Sequence, residues 1–124
     1  MQSFNTKLEA EKWARDLEAQ VDRFRAAPYT KILENTTLGQ LLERYQSEIS
    51  PLKRGSVQEI QRLDVLRRHD LAYRTLVGLS QQDIASFRDE RLQSVAPSTT
   101  ARELAILSHV LEVAMRDWGL PLSK

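Results

Sequence analysis

The sequence predicts an all-α bundle, on three observations. Eighteen leucines and eleven alanines in 124 residues favour helix. Apolar positions recur at spacings of three and four, and no period-2 alternation bounded by turn residues is sustained. Capping motifs and helix breakers punctuate the periodic stretches at regular intervals. A chain of this length forms one compact domain that buries roughly two thirds of its unfolded surface.

The first helix opens with the capping box Thr6-Lys7-Leu8-Glu9, whose side chains satisfy two orphan amide donors. Ala10, Ala14, Leu17, Val21 and Phe24 then form a heptad stripe, with Trp13 beside it, so this helix packs lengthwise on another helix. It ends near Ala26, before Pro28, and residues 27–36 form a linker. Two partners remain open for the stripe: its own domain, or another copy of the chain.

Thr37, with Gln40 three residues on, caps a second helix. Its buried face is Leu38, Leu41, Leu42, Tyr45 and Ile49, and Pro51 stops it. The turn Pro51–Ser56 leads to a third helix with Ser56 as N-cap, Glu59 at N3, and Val57, Ile60, Leu63 and Leu66 facing inward. Residues 70–79 read as irregular, because Gly78, Thr75 and Val77 interrupt any helical pattern. Ser80 starts a fourth helix, with Ile84, Phe87 and Leu92 inward, and Val95-Ala96-Pro97 breaks it. The fifth carries Thr100-x-x-Glu103 near its start and a stripe of Leu104, Leu107, Leu111, Met115 and Trp118. Gly119 and Pro121 end it. The expected architecture is a four-helix bundle over 37–124, preceded over 1–36 by one longer helix and its linker.

Composition excludes several functions. With no cysteine there is no disulfide scaffold, thiolate zinc site or thiol nucleophile, which suits a reducing cytoplasm. No run approaches the roughly 18 apolar residues of a membrane span. The net charge of +1 argues against a general polyanion binder, but the average hides a distribution. Residues 1–50 and 75–124 each carry a net charge of −1, whereas residues 51–74 carry +3. All of the surplus lies in one short stretch: Lys53, Arg54, Arg62, Arg67, Arg68 and Arg74 against Glu59, Asp64 and Asp70.

The catalytic inventory is thin. His69 and His109 have no second ligand at metal-binding spacing, and His109, flanked by Leu107, Val110 and Leu111, reads as a partly buried structural residue. No glycine-rich phosphate loop occurs, and the carboxylates fall at spacings that suit solvated helix faces. No active site, cofactor or metal centre is expected.

Two places suit a phosphodiester. The turn Lys53-Arg54-Gly55-Ser56 brings two cations and a glycine to a helix N-terminus, with Arg62 two turns on. Ser98, Thr99, Thr100 and Arg102 put three hydroxyls and a guanidinium at the start of the fifth helix, an end that can approach a DNA groove. Capping and solvated charge explain either place taken alone.

The order of these pieces is similar to that of phage-integrase-type tyrosine recombinases. Thr37-Leu38-Gly39-Gln40-Leu41-Leu42-Glu43-Arg44-Tyr45 resembles the opening helix of their core-binding domain. Leu79-Ser80-Gln81-Gln82-Asp83-Ile84-Ala85-Ser86-Phe87-Arg88-Asp89-Glu90-Arg91-Leu92 resembles its third helix. Ala96-Pro97-Ser98-Thr99-Thr100-Ala101-Arg102-Glu103-Leu104-Ala105-Ile106-Leu107, followed by Ala114-Met115-Arg116-Asp117-Trp118-Gly119-Leu120, resembles its last helix. Phe4-Asn5-Thr6-Lys7-Leu8-Glu9-Ala10-Glu11-Lys12-Trp13-Ala14 is similar to the helix that ends an arm-binding domain. Where many relatives have Ser, this chain has Ala96, so the cap of the last helix is supplied differently.

The resemblance implies a SAM-like bundle forming half of a C-shaped clamp around duplex DNA at the crossover site, for integration or excision. A separate catalytic domain with Arg, Lys, His-x-x-Arg and a nucleophilic Tyr forms the other half. That signature is not met at either histidine, because Ala72 follows His69 and Glu112 follows His109 at i+3. The resemblance thus implies a bacterial or phage-encoded DNA-binding part of a recombinase that does not itself cut. Its DNA-facing residues would be Lys53, Arg54, Gly55, Ser56, Arg62, Ser98, Thr99, Thr100 and Arg102, and binding would be weak, salt-sensitive and largely indifferent to sequence. Ala10, Ala14, Leu17, Val21 and Phe24 would contact neighbouring protomers. The competing expectation is a helical oligomerisation module that uses this stripe and binds no DNA.

Overall fold

The computed structural model describes residues 7–26 and 34–118, and within them the chain is an all-α bundle. Five helices organise it: α1 (Lys7–Ala26), α2 (Leu38–Glu48), α3 (Ser56–Arg68), α4 (Gln81–Ser94) and α5 (Pro97–Arg116). Two 3-10 turns, Ser50–Leu52 and Asp70–Tyr73, join them. Thr6, Pro28, Gly119 and Pro121 lie outside the described residues, as does the side chain of Phe24. Glu34 and Asn35 are helical, where a linker was expected. Among the described residues α1 and α5 each have 20 residues.

Several boundaries follow from local capping. Thr37 and Gln40 form a full box at the start of α2, and Ser80 and Asp83 form another at the start of α4. At α3 the cap differs from expectation. Gly55 is the N-cap, at φ 70°, and Ser56 is already the first helical residue. A left-handed residue is needed to turn the chain there, and glycine alone takes that conformation without a Cβ penalty. Glu59 is consequently released from a reciprocal box. It accepts instead from Ser50 Oγ at 2.8 Å and from Lys53 Nζ at 3.3 Å.

One hydrophobic cluster runs through all five helices. Ala10, Ala14, Leu17 and Val21 of α1 are fully buried in it, against α4 and α5 of the same chain. Asp22 meets Gln81, while Glu11 and Glu18 lie near Arg88 further along, so α1 and α4 run antiparallel. The stripe is therefore covered within the chain and presents no apolar face at these four positions. Residues 70–79 are more ordered than expected. Leu38 N–H donates to Arg74 O at 3.0 Å and Leu76 N–H to Thr36 O at 2.9 Å, pinning this segment to the start of α2. A Cβ on Gly39 would meet the Ala72 carbonyl oxygen at 3.0 Å, a tight contact that glycine avoids.

Two side chains depart from the sequence expectation. Val57 was expected inward and is 67% exposed, because α3 is rotated so that Leu63 and Leu66 face the core. Glu103, expected on a polar face, is 2% exposed. It accepts a bidentate pair from Arg91, at 2.8 and 2.7 Å, across the α4–α5 corner. Hydrogen bonding to Glu103 outweighs the burial of Arg91 and raises the guanidinium pKa above its ordinary value.

Removing one partner of such a buried pair strands the other charge. Glu103→Ala should cost about 3 kcal/mol, read as a fall in the urea midpoint. Combining it with Arg91→Leu should recover part of that loss.

Candidate nucleic-acid interface

The site is built on α3 and the start of α5, which lie side by side over α2. A cleft of about 300 Å³ opens between them. Gly55, Gln58 and Arg62 line it from the α3 side, and Arg102, Ile106 and His109 from the α5 side, with Tyr45 and Glu59 also reaching it. A second cleft of about 440 Å³ adjoins it, lined by Gln58, Gln61, Arg62, Val65, Arg91, Thr99 and Glu103. Arg62 and Gln58 belong to both. The two stretches singled out in the sequence, around residues 53–62 and 98–102, thus converge on one face.

A polar chain runs beneath that face. Lys53 Nζ donates to Tyr45 Oη and to Glu59, and the ammonium also lies 5.0 Å from the Tyr45 ring centroid. Tyr45 Oη and His109 Nδ1 lie 2.7 Å apart, a hydrogen bond that carries the chain on to α5. Burial disfavours the Lys53 ammonium, but Tyr45 and Glu59 outweigh it and raise its pKa above the lysine norm. Burial, reinforced by the nearby Lys53 charge, pushes His109 below the ordinary histidine value.

The expected residues separate into two groups. Gly55, Arg62 and Arg102 line the first cleft, Thr99 lines the second with Arg62, and Arg54 is exposed on the turn beside them. Ser56 and Ser98 are half-buried and line neither cleft. Lys53, its side chain 35% exposed, is engaged by Tyr45 and Glu59. Thr100 is a correction. Thr100 is fully buried and its hydroxyl points back to the Ala96 carbonyl, 3.5 Å away. It closes the first turn of a helix whose N-cap, Ala96, has no side-chain acceptor.

The charge surplus is sorted in the same way. Arg67 pairs with Glu43 and Asp64 and donates to Gln46, tying α3 to α2. Arg74 pairs with Asp83. Arg54, Arg62 and Arg68 have no ion pair among the described residues. The carboxylates of α3 are engaged: Glu59, which reaches the first cleft, by Ser50 and Lys53, and Asp64 by Gln46 and Arg67. Sequence reasoning missed Gln58, Gln61 and Val65, which carry no charge and so no compositional signal. Their spacing after Gly55, three, three and then four, was the available clue.

The fold and site define an all-α protein with a cationic, cleft-bearing face whose nearby carboxylates are engaged. No described helix is long and apolar enough to cross a membrane. Two proteins of Haemophilus influenzae, each named integrase/recombinase, resemble the chain over 108 residues, 87% of its length. They are 29% and 34% identical to it, and the match spans 34% and 28% of their own lengths. The shufflon-specific DNA recombinase of Escherichia coli is 34% identical over 95 residues, covering 70% of this chain and 25% of that protein. The chain thus spans about a quarter to a third of the length of the curated relatives it matches. No family model matches it, and no solved structure does so significantly.

The depressed His109 pKa has a consequence for stability. Neutral His109 contributes stability that is fully present above the unfolded histidine value of about 6.5. It is lost as pH falls through the lower folded value. Urea midpoints at about pH 7.5 and about pH 5 should therefore differ less in His109→Gln than in the wild type.

Proposed function

We propose that this chain is the core-binding part of a site-specific tyrosine recombinase, and that it holds duplex DNA through the face formed by α3 and the start of α5. One observation carries the reading. Arg62 stands in both clefts, joining the two stretches that would meet phosphates, on a face whose neighbouring carboxylates are engaged by Lys53 and Arg91. The relatives' names add support, as all three are recombinases or integrase/recombinases. Arg54, Arg62 and Arg102 supply charge to phosphates, and Ser98 and Thr99 supply hydroxyls at a helix N-terminus. Gly55 lets the backbone of the turn approach. Lys53 serves as a positioning residue that holds this turn against α2.

In this reading residues 37–124 are the core-binding unit, and residues 1–36 are the helix and linker that precede it. The unit forms half of a clamp at the crossover site for integration or excision. Strand cleavage and rejoining belong to a catalytic domain outside the matched region. A unit that grips only part of the duplex binds in the non-specific range, with a dissociation constant of roughly 10⁻⁴ to 10⁻⁶ M.

The test is fluorescence anisotropy with a short duplex across a salt series. The logarithm of affinity should fall linearly with that of salt concentration. Arg62→Ala with Arg102→Ala should reduce the slope by about two, since each lost phosphate contact removes about 0.9. Lys53→Ala should lower the melting temperature and change the slope little. An unchanged slope in the arginine double variant would rule out this face.

A further inference from the structure

The outward face of α3 has an uncharged centre. Val57, Gln58, Gln61 and Val65 lie on one side of the helix, since spacings of three and four return to the same face. All four are exposed, the valines by 67% and 39%. Neither glutamine amide has a partner among the described residues. Arg54, Arg62 and Arg68 border this row, and both carboxylates of α3 are hydrogen-bonded to other side chains. Two valines held in water beside two free amides, inside a border of guanidinium groups, gain nothing from the fold itself.

We propose that α3 reads A·T base pairs in the major groove, with Gln58 and Gln61 on adenine and Val57 and Val65 against thymine methyl groups. This rests on the DNA-holding function above and gives it a sequence preference. The chemistry matches by element. A glutamine amide offers the donor–acceptor pair that complements adenine N6 and N7, and apolar side chains pack on the thymine C5 methyl. The bordering arginines meet phosphates, which position the helix without specifying sequence. The dimensions agree, because an α-helix is about 10–12 Å across with its side chains and the major groove is about 12 Å wide. The charge pattern selects DNA over a protein partner, because Arg54, Arg62 and Arg68 border the row and Asp64 beside it is already paired with Arg67 and Gln46.

The test uses the full chain to select from duplexes with a randomised central segment, followed by anisotropy on the enriched duplex. The wild type should enrich A·T pairs and bind the enriched duplex about tenfold more tightly than a version with those pairs changed to G·C. Gln58→Ala with Gln61→Ala should bind both duplexes equally, with an unchanged salt slope. Replacing thymine by uracil in the enriched duplex removes only the methyl groups and should weaken wild-type binding two- to threefold, roughly the effect of a lost methyl contact. Binding with a full salt slope but no preference, or a preference that survives in the glutamine double variant, overturns the base reading and leaves the DNA-holding function standing. No binding to any duplex at low salt overturns both.

Discussion

The helix α5 is enclosed by the rest of the bundle, and three of its polar side chains, Glu103, Ser108 and His109, find their partners on three different elements. Glu103 takes Arg91 of α4. Ser108 exchanges two hydrogen bonds with Gln20 of α1, its hydroxyl donating to the amide oxygen and its carbonyl accepting from the amide nitrogen. His109 takes Tyr45 of α2. Apolar packing alone tolerates small slips, because hydrophobic contact is non-directional. Hydrogen bonds do not, and an unmet buried polar group costs more than a met one gains. These three contacts therefore set the rotation and height of α5 against its neighbours.

The cationic face depends on that setting. With α5 in place, the start of the helix stands beside α3, and Arg102 shares a cleft with Arg62. Lys53, Tyr45 and Glu59 bind the intervening turn to α2, so the position of Gly55 is fixed from below. The same contacts orient charge. Each carboxylate that could oppose a phosphate on this face is already matched by a cation inside the fold, and three arginines of α3 and its turn are left outward.

The helices and their order were legible from the residues alone, and so were the basic and the hydroxyl-bearing segments as two separate candidates. The capping box at Thr37 and the helix start at Ser80 were read correctly because the capping partners lie within four residues of each other. The cap at α3 was misread because Ser56 is a good capping residue, and only the left-handed turn at Gly55 displaces it. Lys53 and Thr100 both have side chains of a type that suits phosphate. Whether a lysine points outward depends on Glu59 and Tyr45, and Thr100 is claimed by the Ala96 carbonyl.

What the sequence by itself determined was the set of helices, their apolar stripes and the segment holding the surplus charge, because each is encoded by spacings within one or two turns. Tertiary structure alone decided which charges are spent internally and which face outward. It also decided that the stripe Ala10–Val21 is covered by the chain's own α4 and α5, and that Gln58, Gln61 and Val65 stand uncovered between arginines. Those outcomes depend on partners far apart along the chain, and no local spacing records them.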